Sequence, residues 1–394
     1  MSPDTSTLEA PSMQVQRLTP EERVAAIAPL ISGSSERIEK ERRLTPEVRK
    51  ALYENNLFRL LLPRAFGGDE VDPMTFFRTT MALAICDAST AWCVSQGNGC
   101  SMTAAYVEPA VARTIWADNP EGVLAWGPGR ADVTEADGGY KITGRWAFAS
   151  GSRHATWLGG MTPMPGFVSD RSETRTMLFP AGSVVMEDVW DTIGLRGTGT
   201  DAYTVKDLFV PTEFSTRRDN SKDRRELGPL YLLTSSALYS IGFSGVSMGI
   251  ARAMLNEFNE LATSKMPLRM RTTLGANTAF QAEYATAEAR LGSARAFVLS
   301  EVSEIWDEIL RTGEVTIAAR MRIRLATTYG IHEAKHAADI AYDLSGATAV
   351  YRSNGIERRF RDIHTVTQQI QGRKDHLQTV GGFMLGQEAN LASL

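Results

Sequence analysis

Two stretches hold residue types at spacings that suit catalysis or metal binding. His332-Glu333-Ala334-Lys335-His336 matches HExxH, which on a helix sets two imidazoles on one face as a zinc site needs, with Glu357 available as a third ligand. The same face continues through Met321, Leu325, Tyr329 and Ile340. It reads better as a buried or interface stripe with two hydrogen-bonded histidines, and no metal is expected. The second stretch is RDIHTVTQQIQG, Arg361 to Gly372. It has one histidine, three glutamines and no carboxylate after Asp362 until Asp375. Glutamine donates and accepts hydrogen bonds but cannot take up a proton at working pH. On one regular helix, Ile363, Val366, Thr367 and Ile370 share a face, His364, Gln368 and Gln371 share another, and Gln369 falls near Asp362 and Thr365.

Bulk properties narrow the partners. The 394 residues carry 42 basic and 46 acidic side chains, a formal net charge of -4, so neither nucleic acid nor membrane is expected as the main partner. Pro229 to Ala251 has no charge and is long enough to span a bilayer. Its many Ser, Thr and Gly residues mark it instead as a helix buried on all sides of a soluble protein. The N-terminus has no basic start followed by an apolar run, so no secretory signal is read. Cys86, Cys93 and Cys100 are spaced to share one face of a continuous helix. Three cysteines without CxxC are expected to be buried thiols in a reducing compartment, the cytoplasm.

These residues need elements to position them, and the pattern changes twice. Residues 1–18 read as a loose start. A helical region follows over 19–120: Thr19 caps a helix with Pro20 and Glu22, Thr45 and Pro46 repeat that start, and Asp87 caps another. Over 121–215 short strand-like runs such as YKITG, TRTMLF and AYTVKDLFV alternate with turn pairs. A charged loop, STRRDNSKDRRELG, then leads into long helices over 216–394, which suggest a bundle. The fold class is α+β, mainly α: a helical domain, a middle β-barrel or sandwich, and a C-terminal four-helix bundle.

That order resembles the acyl-CoA dehydrogenase fold over nearly the whole chain. YKITGRWAFASGSRHATWLGG resembles the family's flavin-framing strand pair. VWDTIGLRGTGTDAYTVKDLFVP resembles its G-x-R-x-S/T-x-T segment and following strand, and FRDIHTV its C-terminal Arg-Asp helix. Within the fold, SGSRHATW and LSGATAVY resemble flavin-dependent monooxygenases: the oxygenase components that act on p-hydroxyphenylacetate and steroid-derived phenols, and dibenzothiophene monooxygenase.

The two branches of that family need different chemistry. A dehydrogenase needs a carboxylate base. The first bundle helix has no Asp or Glu between Glu226 and Glu257, and Gln371-Gly372 stands where dehydrogenases keep Glu-Gly. The CoA-holding stretch of dehydrogenases is reduced here to AWGPGRADV, with Pro128 and Gly129 kept. The resemblance therefore implies an oxygenase component. It would take FMN or FAD, reduced by a separate reductase, and with O2 form a C4a-hydroperoxide that oxygenates a small aromatic or heteroatom-bearing substrate. It places Ser150 near flavin N5, with Gly151 beside it, and Trp126, Gly127 and Trp146 along the isoalloxazine. Gln369 stands where relatives keep a catalytic His, with His364 nearby, and Arg269 and Arg271 are phosphate ligands. Trp92, Gln96 and Cys100 fall in the substrate pocket. Arg196 is read as holding its loop, and His154 as structural. The family implies a homotetramer. No GxGxxG follows a strand, so no nicotinamide site of that type is visible. Two alternatives stay open: a dehydrogenase with a displaced base, and an inactive assembly protein.

Overall fold

A computed structural model describes residues 18–164, 174–268 and 271–388. Helix α1 (Pro20–Glu41) begins with the capping box read from sequence: Thr19 Oγ1 accepts from Glu22 N, and Thr19 N donates to Glu22 Oε2 at 2.8 Å. Thr45 caps α2 (Pro46–Glu54), Asp72 caps α3 (Pro73–Cys86), and Asp87 caps α4 (Ala88–Ser101). Asp87 is extended (φ -156°), and its carboxylate takes the Thr90 N–H at 2.7 Å. The expected continuous helix is therefore broken there: Cys86 closes α3, while Cys93 and Cys100 lie on α4. All three are free and buried. A short helix, α5 (Pro109–Ala112), ends the region.

Among the described residues eight strands follow: β1 (Leu124–Gly127), β2 (Gly129–Ala136), β3 (Gly139–Ala149), β4 (Trp157–Pro163), β5 (Thr174–Pro180), β6 (Val185–Glu187), β7 (Asp201–Pro211) and β8 (Ser215–Thr216). They form two four-stranded sheets, ordered β1-β4-β5-β8 and β2-β3-β7-β6. The β1–β4 pair is parallel and the other pairs are antiparallel. Ala125, Leu158, Met177 and Phe179 of one sheet meet Ile142, Trp146, Tyr203 and Val205 of the other in a shared apolar core.

Long helices complete the chain: α6 (Ser235–Ser264), α7 (Thr278–Thr312) and α8 (Ile317–Ser345), then α9 (Gly355–Val366) and α10 (Asp375–Met384). Helix α6 contains the uncharged stretch. It is long and apolar enough to cross a membrane, but 94% of its most apolar window is buried inside the protein. It packs against α3, α4, α8 and α9, so the N-terminal helices and the bundle share one core. At Gly249 a Cβ would lie 2.3 Å from the Met81 carbonyl oxygen, so glycine is what lets α3 come this close.

The C-terminal stretch is not one regular helix. Helix α9 stops at Val366, Thr367 donates its hydroxyl back to His364 O at 2.8 Å, and Gln369 caps a 3-10 turn over Ile370–Gly372. The helical-wheel placement of Gln369 is corrected accordingly. The HExxH histidines lie on α8 but turn to different partners. His332 Nε2 meets Gly372 O at 2.9 Å, while His336 Nδ1 meets Glu333 Oε1 at 3.1 Å. Glu333 also binds Arg290 at 2.7 Å.

Candidate active site

Ser150 ends β3's hairpin with a defined proton order. Trp92 Nε1 of α4 donates to Ser150 Oγ at 2.9 Å, and Ser150 meets Thr200 Oγ1 at 2.9 Å. Thr200 meets Thr198 Oγ1 at 2.7 Å, and Thr198 donates to Leu195 O at 2.7 Å. A carbonyl only accepts, so Thr198 spends its proton there. Thr200 must then donate to Thr198, and Ser150 to Thr200. Ser150 is left with one free lone pair. It is an acceptor toward anything that binds beside it, although its residue type alone permits either role.

The loop that anchors this chain is clamped to α9. Leu195 N donates to Asp362 Oδ1 at 2.6 Å, and Arg361 donates to Ile193 O at 2.6 Å while pairing with Glu357 and Glu39. At Gly194 a Cβ would lie 2.2 Å from Arg361 O, so only glycine fits the crossing. The Arg-Asp pair of the C-terminal helix thus fixes the Leu195–Thr200 loop. Burial pushes the Asp362 carboxyl up to about 7, with Asp87 adding to the rise and the Leu195 N–H opposing it. Arg196 binds Asp191 at 3.0 Å and Thr192 O at 2.6 Å, which holds its own loop as expected.

Beyond α9, Gln369 Oε1 accepts from Gln371 N at 2.7 Å, while Gln369 Nε2 is buried without a partner. Gln371 is 6% exposed, and its amide oxygen takes a hydrogen bond from Arg324, which also donates to Ser236 Oγ at 2.8 Å. Burial lowers the Arg324 guanidinium to about 10. His364 is placed differently from the catalytic role expected of it. Its Nδ1 meets Phe360 O at 2.8 Å, its Nε2 lies 3.3 Å from Asp339, and its ring lies 4.2 Å from that of Phe360. One ring nitrogen is held within α9 by the Phe360 carbonyl, and the other faces the Asp339 carboxylate of α8.

An aromatic cluster continues from Trp92. Its ring stacks on Phe243 at 4.0 Å, and Phe243 stacks on Tyr239 at 5.9 Å. Tyr239 OH lies 3.2 Å from Cys100 Sγ, and Gln96 Nε2 lies 3.5 Å from the same sulfur. Trp92, Gln96 and Cys100 therefore do gather along one side of α4. Burial raises the Cys100 thiol to about 11, so it is neutral. Arg218, from the charged loop, lies over Trp126 at 4.5 Å. Sequence reading missed Arg218, Tyr239, Phe243, Thr198 and Thr200. The only hints were a cation in the charged loop, aromatics spaced four apart in the uncharged helix, and the threonines of GTGT.

Other expectations are relocated. Trp146 is fully buried in the β-domain core, stacked on Tyr203 at 5.6 Å with Nε1 donating to Met161 O at 3.2 Å. It lines no open surface. The open aromatic is Phe148, 66% exposed at φ +57° on a bulge of β3, a backbone state that often marks functional positions. Gly127 packs its backbone on Ala147, and Gly151 N donates to Thr198 O at 2.9 Å. His154 lies between Gly151 and Phe58, and burial holds it neutral, lowered to about 3. Arg271 is exposed between α6 and α7, whereas Arg269 lies outside the described residues. Ser150 has a free lone pair, Gln369 a buried unpaired amide N–H and Phe148 an exposed ring, and each is a group type that suits a flavin.

Comparison with known proteins agrees. Residues 241–372 match the family model "Acyl-CoA dehydrogenase, C-terminal domain". The chain is 30% identical over 354 residues to indole-3-acetate monooxygenase of Pseudomonas putida, covering 89% of each chain. It is 26% identical over 355 residues to the flavin-dependent monooxygenase oxygenase subunit HsaA of Rhodococcus jostii, covering 87% of this chain and 92% of that one. The crystal structure of the HsaA monooxygenase from M. tuberculosis superposes with a TM-score of 0.86 at 25% identity, covering 95% and 99% of the two chains. By fold, by site and by this likeness along its length, the chain belongs to the flavin-dependent monooxygenases of acyl-CoA dehydrogenase fold.

Proposed function

We propose that this chain is the oxygenase component of a two-component system that uses reduced FMN or FAD from a separate reductase. It oxygenates a small aromatic or heteroatom-bearing molecule, in the cytoplasm and as a homotetramer. When bound, the reduced flavin supplies the electrons that activate O2. The observation that carries the reading is what occupies the base position of a dehydrogenase: Gln371, with its amide oxygen already engaged by Arg324. No proton can be abstracted there. Asp362 does not replace it, because it is 5% exposed and holds Leu195 N from behind the loop.

The remaining groups suit oxygen chemistry. Ser150 offers a lone pair, which complements the N5–H that a reduced flavin has and an oxidised one lacks. Gln369 offers a buried N–H able to hold an oxygen atom without shuttling a proton. Trp92, Phe243 and Trp126 exclude water, and Arg271, exposed between α6 and α7, is taken as a phosphate ligand. The P. putida relative acts, by its name, on indole-3-acetate, an aromatic of the size such walls suit. Anaerobic addition of acyl-CoA thioesters to the protein with oxidised flavin tests the assignment. The flavin is expected to stay oxidised, and bleaching would return the chain to the dehydrogenases.

A further inference from the structure

The carboxylate nearest Arg218 is shared with α6. The Arg218 guanidinium sits 4.5 Å from the Trp126 ring centroid and 6.0 Å from that of Tyr239, and its Nη1 is buried with no hydrogen-bond partner. Asp219 is the adjacent carboxylate, with an oxygen 3.9 Å from Arg218 Nε. That carboxylate serves α6: Oδ1 accepts from Ser235 N at 3.0 Å and Oδ2 from Ser235 Oγ at 2.6 Å. A buried cationic N–H without an acceptor is costly, and a ligand that brings an anionic oxygen removes the cost. Two further features place that ligand. Gln96 is the one residue of α4 that is not buried, so the helix is partly open at that position, one turn before Cys100. The walls there are aromatic, running from Trp126 and Tyr239 through Phe243 to Trp92.

We infer that Arg218 anchors the carboxylate of a planar aromatic acid, with Nη1 donating to the carboxylate and the ring lying among Trp126, Tyr239, Phe243 and Trp92. This rests on the monooxygenase reading and names its substrate class. Ser150 lies at the other end of the aromatic run, bonded to Trp92. The acid is therefore held at one end of the pocket and the ring is presented to the flavin at the other. The carboxylate meets the guanidinium with opposite charge, whereas an amide or ester offers only a neutral acceptor, so discrimination exceeds that from shape alone.

The test is equilibrium titration of the flavin-loaded protein with indole-3-acetate and phenylacetate, and with their primary amides and methyl esters. Wild type is expected to bind an acid on the order of 100-fold more tightly than its amide. Arg218→Met is expected to erase that preference and Arg218→Lys to keep part of it, both with flavin affinity unchanged. Equal binding of acids and amides by wild type, no binding of either acid, or a preference that survives in Arg218→Met would overturn the anchor. So would loss of flavin affinity in Arg218→Met, which would put Arg218 on the flavin instead. The two readings fail separately. Acid-selective binding without oxygenated product removes the monooxygenase assignment and leaves the anchor, whereas oxygenation of neutral aromatics with no acid preference does the reverse.

Discussion

Ser150 has its proton direction fixed by a carbonyl three bonds along its chain, and this sets what its loss does. In Ser150→Ala, Trp92 Nε1 loses its acceptor, at a cost of about 1–3 kcal/mol, and the site loses the lone pair assigned to N5–H. Anaerobic titrations should show a weaker preference for reduced over oxidised flavin; an unchanged ratio would mean that Ser150 does not touch N5. Gln369→Ala removes the unpaired N–H and should lower product per reduced flavin on the order of 10²-fold, with hydrogen peroxide made instead. Gln371→Glu restores the carboxylate type but leaves it paired with Arg324, which lowers its affinity for a proton and makes it a poor base; acyl-CoA oxidation by this variant would contradict the account. Ser150 and Gln369 were singled out by the family resemblance of SGSRHATW and FRDIHTV rather than by spacing. Trp146 was set along the isoalloxazine by resemblance, whereas its ring is buried in the sheet core. A bulge of β3 between Trp146 and Ala149 turns Phe148 outward, and no residue in RWAFAS announces it.

At the scale of elements, caps were readable because they are local. Thr19, Thr45 and Asp87 each act within three residues. Contacts such as Leu195–Asp362 and Arg218–Trp126 join positions far apart in the chain, and no spacing rule reaches them. The break after Val366 was missed for a related reason: apolar periodicity continues through Ile370, while the Thr367 and Gln369 side chains satisfy the backbone locally. The Asp362 clamp gives a pH signature. Its folded value, about 7, lies above the ordinary 3.8, so the native state holds this proton more tightly than the unfolded chain does. Its contribution is most favourable below the ordinary value. Stability falls as pH rises from about 4 to about 7 and levels off above. Denaturation of Asp362→Asn across that range should show a shallower fall; an identical slope would place the titration elsewhere. In α6, Gly249→Ala gains about 1 kcal/mol of helix propensity but drives a methyl against Met81 O, an overpacking cost of about 1–3 kcal/mol. The thermal midpoint should fall, and a rise would mean that α3 can retreat.

Across the whole molecule, one apolar core runs from the first helices through the bundle and takes in Leu124, Trp126 and Leu178 of the β-domain. Arg42, just after α1, adds an ion pair to Asp188 at 2.7 Å, and within the β-domain Arg153 binds Asp188 at 2.7 Å and Asp201 at 2.6 Å. The order helical, β, helical was visible in composition because turn pairs and alternation replace the 3.6-residue period between the two helical regions. How the regions meet at Ser150 was not, since Trp92, Ser150 and Thr200 come from separate elements. That junction supplies an acceptor at Ser150 and an aromatic wall at Trp92 and Phe243. The most direct test is rapid mixing of the anaerobic reduced-flavin complex with O2, followed by absorbance. A transient species distinct from both reduced and oxidised flavin, formed before the oxidised spectrum appears, is expected. Direct conversion of reduced to oxidised flavin at the rate of free flavin in solution would contradict the account.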